Sequence, residues 1–182
     1  MKTDEQDKLA ELANICAGHA ASTLALLLDT TLLTKVPQLR RLEAGRPLRS
    51  LFLREERAAA IFADLRGPFA AKAALLLSAG AVEDVVSRIA AKDDSSVSPL
   101  AVLAEVGNIA VSAAANALAM MLGGVSLPSV PRAGFAAEGE LELVELTEIL
   151  SSVRDVADVV LYDRHGPLRL RFVLVPELSD ID

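Results

Sequence analysis

Apolar residues recur every three or four positions over residues 4–28, which is the spacing of one face of an α-helix. This stripe consists of Leu9, Leu12, Cys16, Leu24 and Leu27. A second long helix is predicted at about 99–122. Ser98 suits its N-cap, Pro99 suits its first turn, and Gly123 suits its C-terminal end because glycine tolerates a positive φ. The pattern therefore predicts two long helices.

Each long helix is followed by a predicted strand, near 31–42 and near 125–136, and then by a hairpin with a Gly-Pro turn. In the second hairpin, residues 168–175 alternate between a leucine or phenylalanine series and an arginine or valine series, which indicates a strand with one buried face. Pro37 and Pro131 lie inside the first strand of each series. Since proline donates no backbone hydrogen bond, we expect them at sheet edges or bends.

Residues 80–91 predict a short amphipathic helix, whereas residues 138–153 fit either a strand or a short helix. Helices combined with antiparallel hairpins predict a mixed α/β (α+β) fold, in which two long helices cover an antiparallel-rich sheet. The segment 92–98 is the expected linker between two halves, at about 1–92 and 98–182. Neither half is large enough to expect a separate stable core, so one domain is expected over the whole chain.

Composition narrows the function classes. With 182 residues and 52% hydrophobic content, the chain can bury a substantial core. Its single cysteine, Cys16, excludes an internal disulfide and fits a reducing compartment such as the cytoplasm, and the polar N-terminal residues do not resemble a signal peptide. We expect Cys16 to be a core residue. A net charge of −7 argues against nucleic acid as the main partner.

One stretch, residues 106–125, is uncharged and long enough to span a bilayer. It is rich in alanine, lacks an aromatic belt, and carries Asn108, Ser112 and Asn116 along one stripe. These features favour a buried helix of a soluble protein over a membrane span.

The chain contains the same motif twice. Glu11 and Asn14 are followed after 22 intervening residues by the first proline named above, and Glu105 and Asn108 by the second. The two copies lie 94 residues apart and keep register. A single Glu-x-x-Asn pair on a helix is usually a solvated surface. Two copies with matching prolines predict a site that the fold builds twice.

Residues three apart on a helix face the same way, with Cβ atoms roughly 5–6 Å apart. A carboxylate and an amide are not a nucleophile–base pair, and one carboxylate per site is too few for a metal. An asparagine amide can accept a hydrogen bond from water and donate another to an oxyanion. That chemistry suits hydrolysis of a labile bond, such as an acyl phosphate, where orientation supplies most of the catalysis.

We expect the small residues beyond each asparagine to belong to the same face, where they would leave the backbone approachable to a macromolecular partner. The sequence places them at Ala17, Gly18, Ala21 and Ser22 in the first copy, and at Ser112 and Ala115 in the second.

These residues resemble the signature of the CheC/CheX/FliY family of chemotaxis phosphatases: Asp or Ser, three residues, Glu, two residues, Asn, 22 residues, Pro. The first copy matches fully, with Asp7 in the leading position, although Asp7 on its own is better explained as a partner of the helix dipole. The second copy has Ala101 there, which weakens the support for that site. Two motif copies favour the CheC type, with its pseudo-two-fold domain, over the single-motif CheX type.

The resemblance implies an aspartyl-phosphate phosphatase that acts on a phosphorylated CheY-like response regulator, in chemotaxis or related two-component signalling. Asn14 and Asn108 would each orient an attacking water, and Glu11 and Glu105 would pair with the active-site lysine of the regulator. The chain would bind no cofactor, because the regulator's own carboxylates would hold the magnesium. The alternative is a non-catalytic adaptor of the same fold that binds the regulator.

Members of the CheC type can also bind the deamidase CheD, a point that no residue of this sequence decides. A homodimer is a further expectation, since no helix is predicted after the second hairpin to cover the sheet there. His19 and His165 are expected at the surface or in a turn.

Overall fold

The computed structural model describes residues 3–43, 58–92, 98–136 and 154–177. The helices within these ranges are α1 (Thr3–Leu27), α2 (Ala79–Ala90) and α3 (Pro99–Leu122). The strands are β1 (Leu32–Thr34), β2 (Gln38–Leu42), β3 (Ala58–Arg66), β4 (Ala71–Ser78), β5 (Leu127–Pro128), β6 (Arg132–Ala136), β7 (Arg154–Asp163) and β8 (Arg169–Pro176). The predicted long helices, short helix and two Gly-Pro hairpins are confirmed. The ambiguous segment 138–153 lies outside the described residues.

The eight strands of the described ranges form one antiparallel sheet, in the order β1/β2, β7, β8, β4, β3, β5/β6. The strands that follow α1 pair with β7, and the strands that follow α3 pair with β3. Each half of the sequence therefore supplies an edge strand to the hairpin of the other half. The division of the chain near residues 92–98 stays a prediction.

Prolines interrupt both edges, as expected. Pro37 separates β1 from β2, and Pro131 separates β5 from β6. Among the described strands, each of these short strands has a neighbour on one side only. A missing N–H donor is tolerated there because no further strand needs it.

The strand order is symmetric about the β4–β8 pair. A half-turn perpendicular to the sheet at this point exchanges the two hairpins and also exchanges α1 with α3. Both helices contribute to the same apolar core on one face of the sheet and pack against each other. Because the half-turn reverses any direction in the plane of the sheet, the two long helices run in opposite directions.

The opposite face of the sheet carries a second buried apolar cluster that includes Leu76 and Val173. A buried carboxylate lies on the same face. Oδ2 of Asp158 accepts hydrogen bonds from Nε of Arg40 at 2.9 Å and from Nη1 of Arg171 at 2.8 Å. These contacts tie β2 to β7 and β8, so the exchanged edge strand is held by charge as well as by its backbone ladder.

By length and composition, α3 passes as a membrane-crossing helix, and half of its most apolar stretch is buried inside the protein. The buried residues include Val106, Ala110 and Ala114, which belong to the core shared with α1 and the sheet. Their burial supplies a reason for the apolar composition of α3 that does not involve lipid.

The two long helices end in the same way. Asp29 has φ of 50° and Gly123 has φ of 69°, so both adopt the left-handed conformation that closes a helix. The amide of Thr30 donates to the carbonyl of Ala25 at 3.0 Å, and the amide of Gly124 donates to the carbonyl of Ala119 at 3.2 Å. These paired positions lie 94 residues apart, the spacing of the repeated motif. Only the second copy has glycine at the left-handed position.

Replacement of Asp29 by glycine should therefore stabilise the protein by about 0.5–1 kcal/mol, since a side chain at positive φ is strained and a negative charge opposes the helix dipole there. Urea unfolding with an unchanged slope would measure this gain. The matched variant Gly123→Ala should lose about 1 kcal/mol. No gain in Asp29→Gly would mean that Asp29 is not strained.

Gly107, the residue before Asn108, lies in close contact with the sheet. A Cβ added at Gly107 would overlap Cγ2 of Ile61 on β3. A Cβ added at Gly18 on α1 would meet nothing within 4 Å. A side chain is therefore excluded at Gly107 but not at Gly18.

We expect Gly107→Ala to lower the unfolding free energy by about 1–2 kcal/mol, because overpacking outweighs the better helix propensity of alanine. Gly18→Ala should raise it by roughly 0.5–1 kcal/mol, since only the propensity changes. Denaturant titration of both variants checks the contrast. Equal effects in the two variants would contradict the close approach at Ile61.

Candidate functional site

The four side chains of the repeated motif are all exposed. Glu11 and Asn14 lie on the outward face of α1, and Glu105 and Asn108 lie on the outward face of α3. The two residues between each glutamate and its asparagine are buried: Leu12 and Ala13 in the first copy, Val106 and Gly107 in the second. With 3.6 residues per turn, burial of the two middle residues forces the outer two toward solvent.

The hydrogen-bonding and charged groups of both pairs are also unused within the described part of the protein. Within the described ranges, no side-chain hydrogen bond or ion pair involves Glu11, Asn14, Glu105 or Asn108. The carboxylate and the amide of each pair are therefore free to contact a partner. They sit mid-helix, where the backbone is fully hydrogen-bonded, so the two groups of a pair keep a fixed spacing of roughly 5–6 Å at Cβ.

The leading positions of the motif are exposed as well. Asp7 lies one turn before Glu11, and Ala101 occupies the corresponding place before Glu105. The residues that follow these leading positions differ in burial between the two copies. Lys8 is exposed, whereas its counterpart Val102 is buried in the core. The two copies thus present the same pair in different surroundings.

The surface beyond each asparagine differs in part from the expected one. Gly18, Ser22 and Ser112 reach the surface or are half-buried, but Ala17, Ala21 and Ala115 are buried and do not belong to this face. The correction follows from helix geometry, since these alanines lie on the side that packs into the core. Their small size lets α1 and α3 approach their neighbours closely.

Four large apolar residues of the two long helices are exposed, and two of them are far more exposed than Leu100 and Met121. Leu26 is 82% exposed on α1, and Met120 is 69% exposed on α3. They lie 94 residues apart, in the register of the motif. That shared register is the signal by which they could have been found.

Cys16 lies at the contact between the two long helices and is fully buried, as expected of a core residue. Its Sγ donates to the carbonyl of Ala114 at 3.7 Å. Burial raises the pKa of the Cys16 thiol to about 12. The thiol therefore stays neutral, and its contact shows which part of α1 faces which part of α3.

The C-terminal end of α1 is anchored to the second hairpin through Asp163. Oδ2 of Asp163 accepts from Oγ1 of Thr30 at 2.7 Å and from Nη2 of Arg88 at 3.2 Å, and Oδ1 accepts from the backbone N–H of His165 at 2.9 Å. These donors, led by the His165 amide, hold the pKa of the Asp163 carboxyl below its ordinary range. His165 itself is exposed in the turn, as expected.

Helix α2 joins the same anchor. Nζ of Lys92, just beyond α2, donates to the carbonyl of Leu27 at 2.8 Å, and Arg88 also reaches the carbonyl of Leu28. Arg88 is held by Asp84, which chiefly raises the pKa of its guanidinium, with Asp163 adding to the effect. The cations cap the negative end of α1.

In the described part of the chain, no three histidine, cysteine or acidic side chains come together in a way that could hold a metal ion. The two motif pairs can act through hydrogen bonds and through the negative charge of the glutamate.

Neither a family model nor a curated protein matches the chain. Solved structures do match it. FliY from Thermotoga maritima superposes with a TM-score of 0.78 at 18% identity, covering 100% of this chain and 93% of FliY. CheX in the CheX–CheY–BeF3–Mg complex from Borrelia burgdorferi gives 0.60 at 14%, covering 90% and 96%.

This is the CheC/CheX/FliY fold. The FliM middle domain from H. pylori matches as well, with a TM-score of 0.69 at 7% identity, covering 100% of this chain and 96% of that domain. The CheC/CheX/FliY fold expected from the repeated motif is thus confirmed. Identities this low show the architecture alone, so the roles of the four motif residues remain to be argued from their chemistry.

The Asp163 anchor gives a test of how the end of α1 is held. Because the pKa of Asp163 is lowered from 3.8, its charge adds stability above about pH 4 and loses that effect as the pH falls through the lowered pKa. We expect Asp163→Asn to cost about 1–3 kcal/mol at pH 7 and progressively less below pH 4.

Unfolding free energies of wild type and variant, measured between pH 2.5 and 7, check this difference. Glu83→Gln, at an exposed acid on α2, is the matched control and should stay within about 0.5 kcal/mol of wild type. A difference for Asp163→Asn that is constant with pH would rule out the charge as its source.

Proposed function

We propose that the chain is a cytoplasmic protein phosphatase that hydrolyses the aspartyl phosphate of a CheY-like response regulator. The observation that carries the proposal is the presence of two solvent-facing glutamate–asparagine pairs, each held by buried neighbours on a long helix. Support comes from the fold, which also occurs in a CheX protein solved together with CheY, BeF3 and magnesium. The activity is proposed for chemotaxis or related two-component signalling.

The proposed reaction is attack of water on the phosphorus of the acyl phosphate. The P–O bond to the aspartate breaks, a proton of the water passes to the phosphate, and the products are a free carboxylate and inorganic phosphate. The amide of Asn14 or Asn108 would accept a hydrogen bond from the water and hold it in line. Positioning of this kind supplies most of the catalysis in phosphoryl transfer.

Glu11 and Glu105 are assigned to binding. A carboxylate placed near a phosphate is repelled unless a cation lies between them. The active-site lysine of the regulator would supply that cation and pair with the glutamate. The magnesium would belong to the regulator, so this chain contributes no metal ligand and no cofactor.

A binding adaptor is the second candidate. The FliM middle domain has the same architecture, so the fold alone does not specify hydrolysis. Both candidates use the same exposed helix surface and differ only in whether bound regulator is dephosphorylated. Binding of CheD and formation of a homodimer stay predictions.

Phosphate release from a CheY-type regulator, phosphorylated by acetyl phosphate with magnesium, separates these functions. Asn14→Ala and Asn108→Ala should each lose part of the turnover, and the double variant should fall roughly a hundredfold. Glu83→Ala on α2 is the surface control. Unchanged turnover in the double variant would reject the assigned role, and tight binding without turnover by wild type would select the adaptor.

A further inference from the structure

Leu26 and Met120 are exposed at positions related by the repeat, yet neither takes part in the chemistry proposed above. Single exposed apolar residues need no explanation. Here, however, the same exposure recurs on both long helices at the spacing of the motif. Their place relative to the two motif pairs follows from how the helices pack.

The contact of Cys16 with the Ala114 carbonyl shows the register between the two helices. Since the helices run in opposite directions, Met120, six residues after Ala114, lies level with Ala10, six residues before Cys16. Leu26, ten residues after Cys16, lies level with Ala104. Each exposed apolar residue is therefore level with the glutamate of the other helix, not with its own.

The direction of the Leu26 side chain agrees with this pairing. At 100° per residue, Leu26 is about 80° around α1 from Cys16, which faces α3, whereas Asn14 is about 160° from it. Leu26 thus lies nearer to the α3 side of α1 than Asn14 does. By the same measure Met120 is about 120° around α3 from Ala114, so its place beside Glu11 rests on its level along the helix and on its exposure.

Distance decides which site each residue serves. A standard protein interface covers about 800 Å² of each partner, a patch of roughly 16 Å radius. Along α1, Leu26 is about 22 Å from Glu11, outside a patch centred there. Met120, on the packed neighbouring helix, is on the order of 10 Å from Glu11.

We propose that each regulator-binding surface is composite: Glu11 and Asn14 from α1 act together with Met120 from α3, and Glu105 and Asn108 act together with Leu26 from α1. The inference rests on the proposed function, because the occupant is the receiver domain whose lysine and phosphate engage the motif pair. The apolar residue adds affinity by burying its side chain against that domain. It takes no part in orienting water.

Variants confined to one active site test the composite arrangement. In the Asn108→Ala protein, where turnover comes from the first pair, Met120→Ser should raise KM for the phosphorylated CheY-type regulator about tenfold with kcat unchanged. Leu26→Ser in the same protein should leave KM unchanged. In the Asn14→Ala protein the two effects should exchange.

Each variant serves as the control of the other, since both remove an exposed apolar side chain from a long helix. An effect that follows the residue's own helix, appears equally in both proteins, or is absent would overturn the inference. So would a change in sedimentation by Met120→Ser without a change in KM, which would assign the patch to a second copy of the chain. Phosphate release that depends on neither asparagine would instead reject the proposed function itself.

Discussion

The exchange of edge strands between the two halves is the constraint on which the arrangement of the candidate sites depends. Because β1 and β2 pair with β7, and β5 and β6 pair with β3, neither half completes its own sheet. The exchange brings both long helices onto one face, side by side and in opposite directions. The motif pairs then face the same side of the protein, and each has the far end of the other helix beside it.

Buried residues on the inner face of each long helix fix the direction of the motif side chains on its outer face. Leu12, Ala13, Val106 and Gly107 are buried, and Gly107 leaves no room for even a methyl group above Ile61. Since a helix cannot rotate without lifting these residues out of the core, the glutamate and asparagine of each pair keep their outward direction. Under the proposed function such a site would need no pocket of its own, because the reactive bond would arrive with the partner.

Local signals were sufficient for the helices and the hairpins. The proline and glycine at the ends of α3 and the alternation along β8 depend on neighbours in sequence, and their elements are found where the pattern placed them. The strand exchange could not be read in this way, since β1 and β7 are joined by contacts more than a hundred residues apart. The left-handed Asp29 was also missed, because that conformation usually calls for glycine.

At the candidate site too, contacts between elements that are distant in sequence decide which alanines are buried. Ala17 and Ala21 fit an exposed stripe by composition, since alanine is only weakly apolar, and their burial is decided by contacts with other elements. Conversely, Leu26 reads as part of an apolar helix and proves to be exposed. The glutamates and asparagines were found because their spacing repeats, a property of the whole sequence that does not depend on hydropathy.

The two copies share the glutamate–asparagine pair but differ in the residues around it. Before the first pair stand Asp7 and Lys8, both exposed; before the second stand Ala101, exposed, and Val102, buried. Charges near the first pair interact with a partner over roughly the Debye length, about 8–10 Å, and are screened by salt. The second pair lacks these two charges, although Glu105 carries its own. Two sites with the same amide chemistry can therefore differ in how their binding to a partner responds to ionic strength.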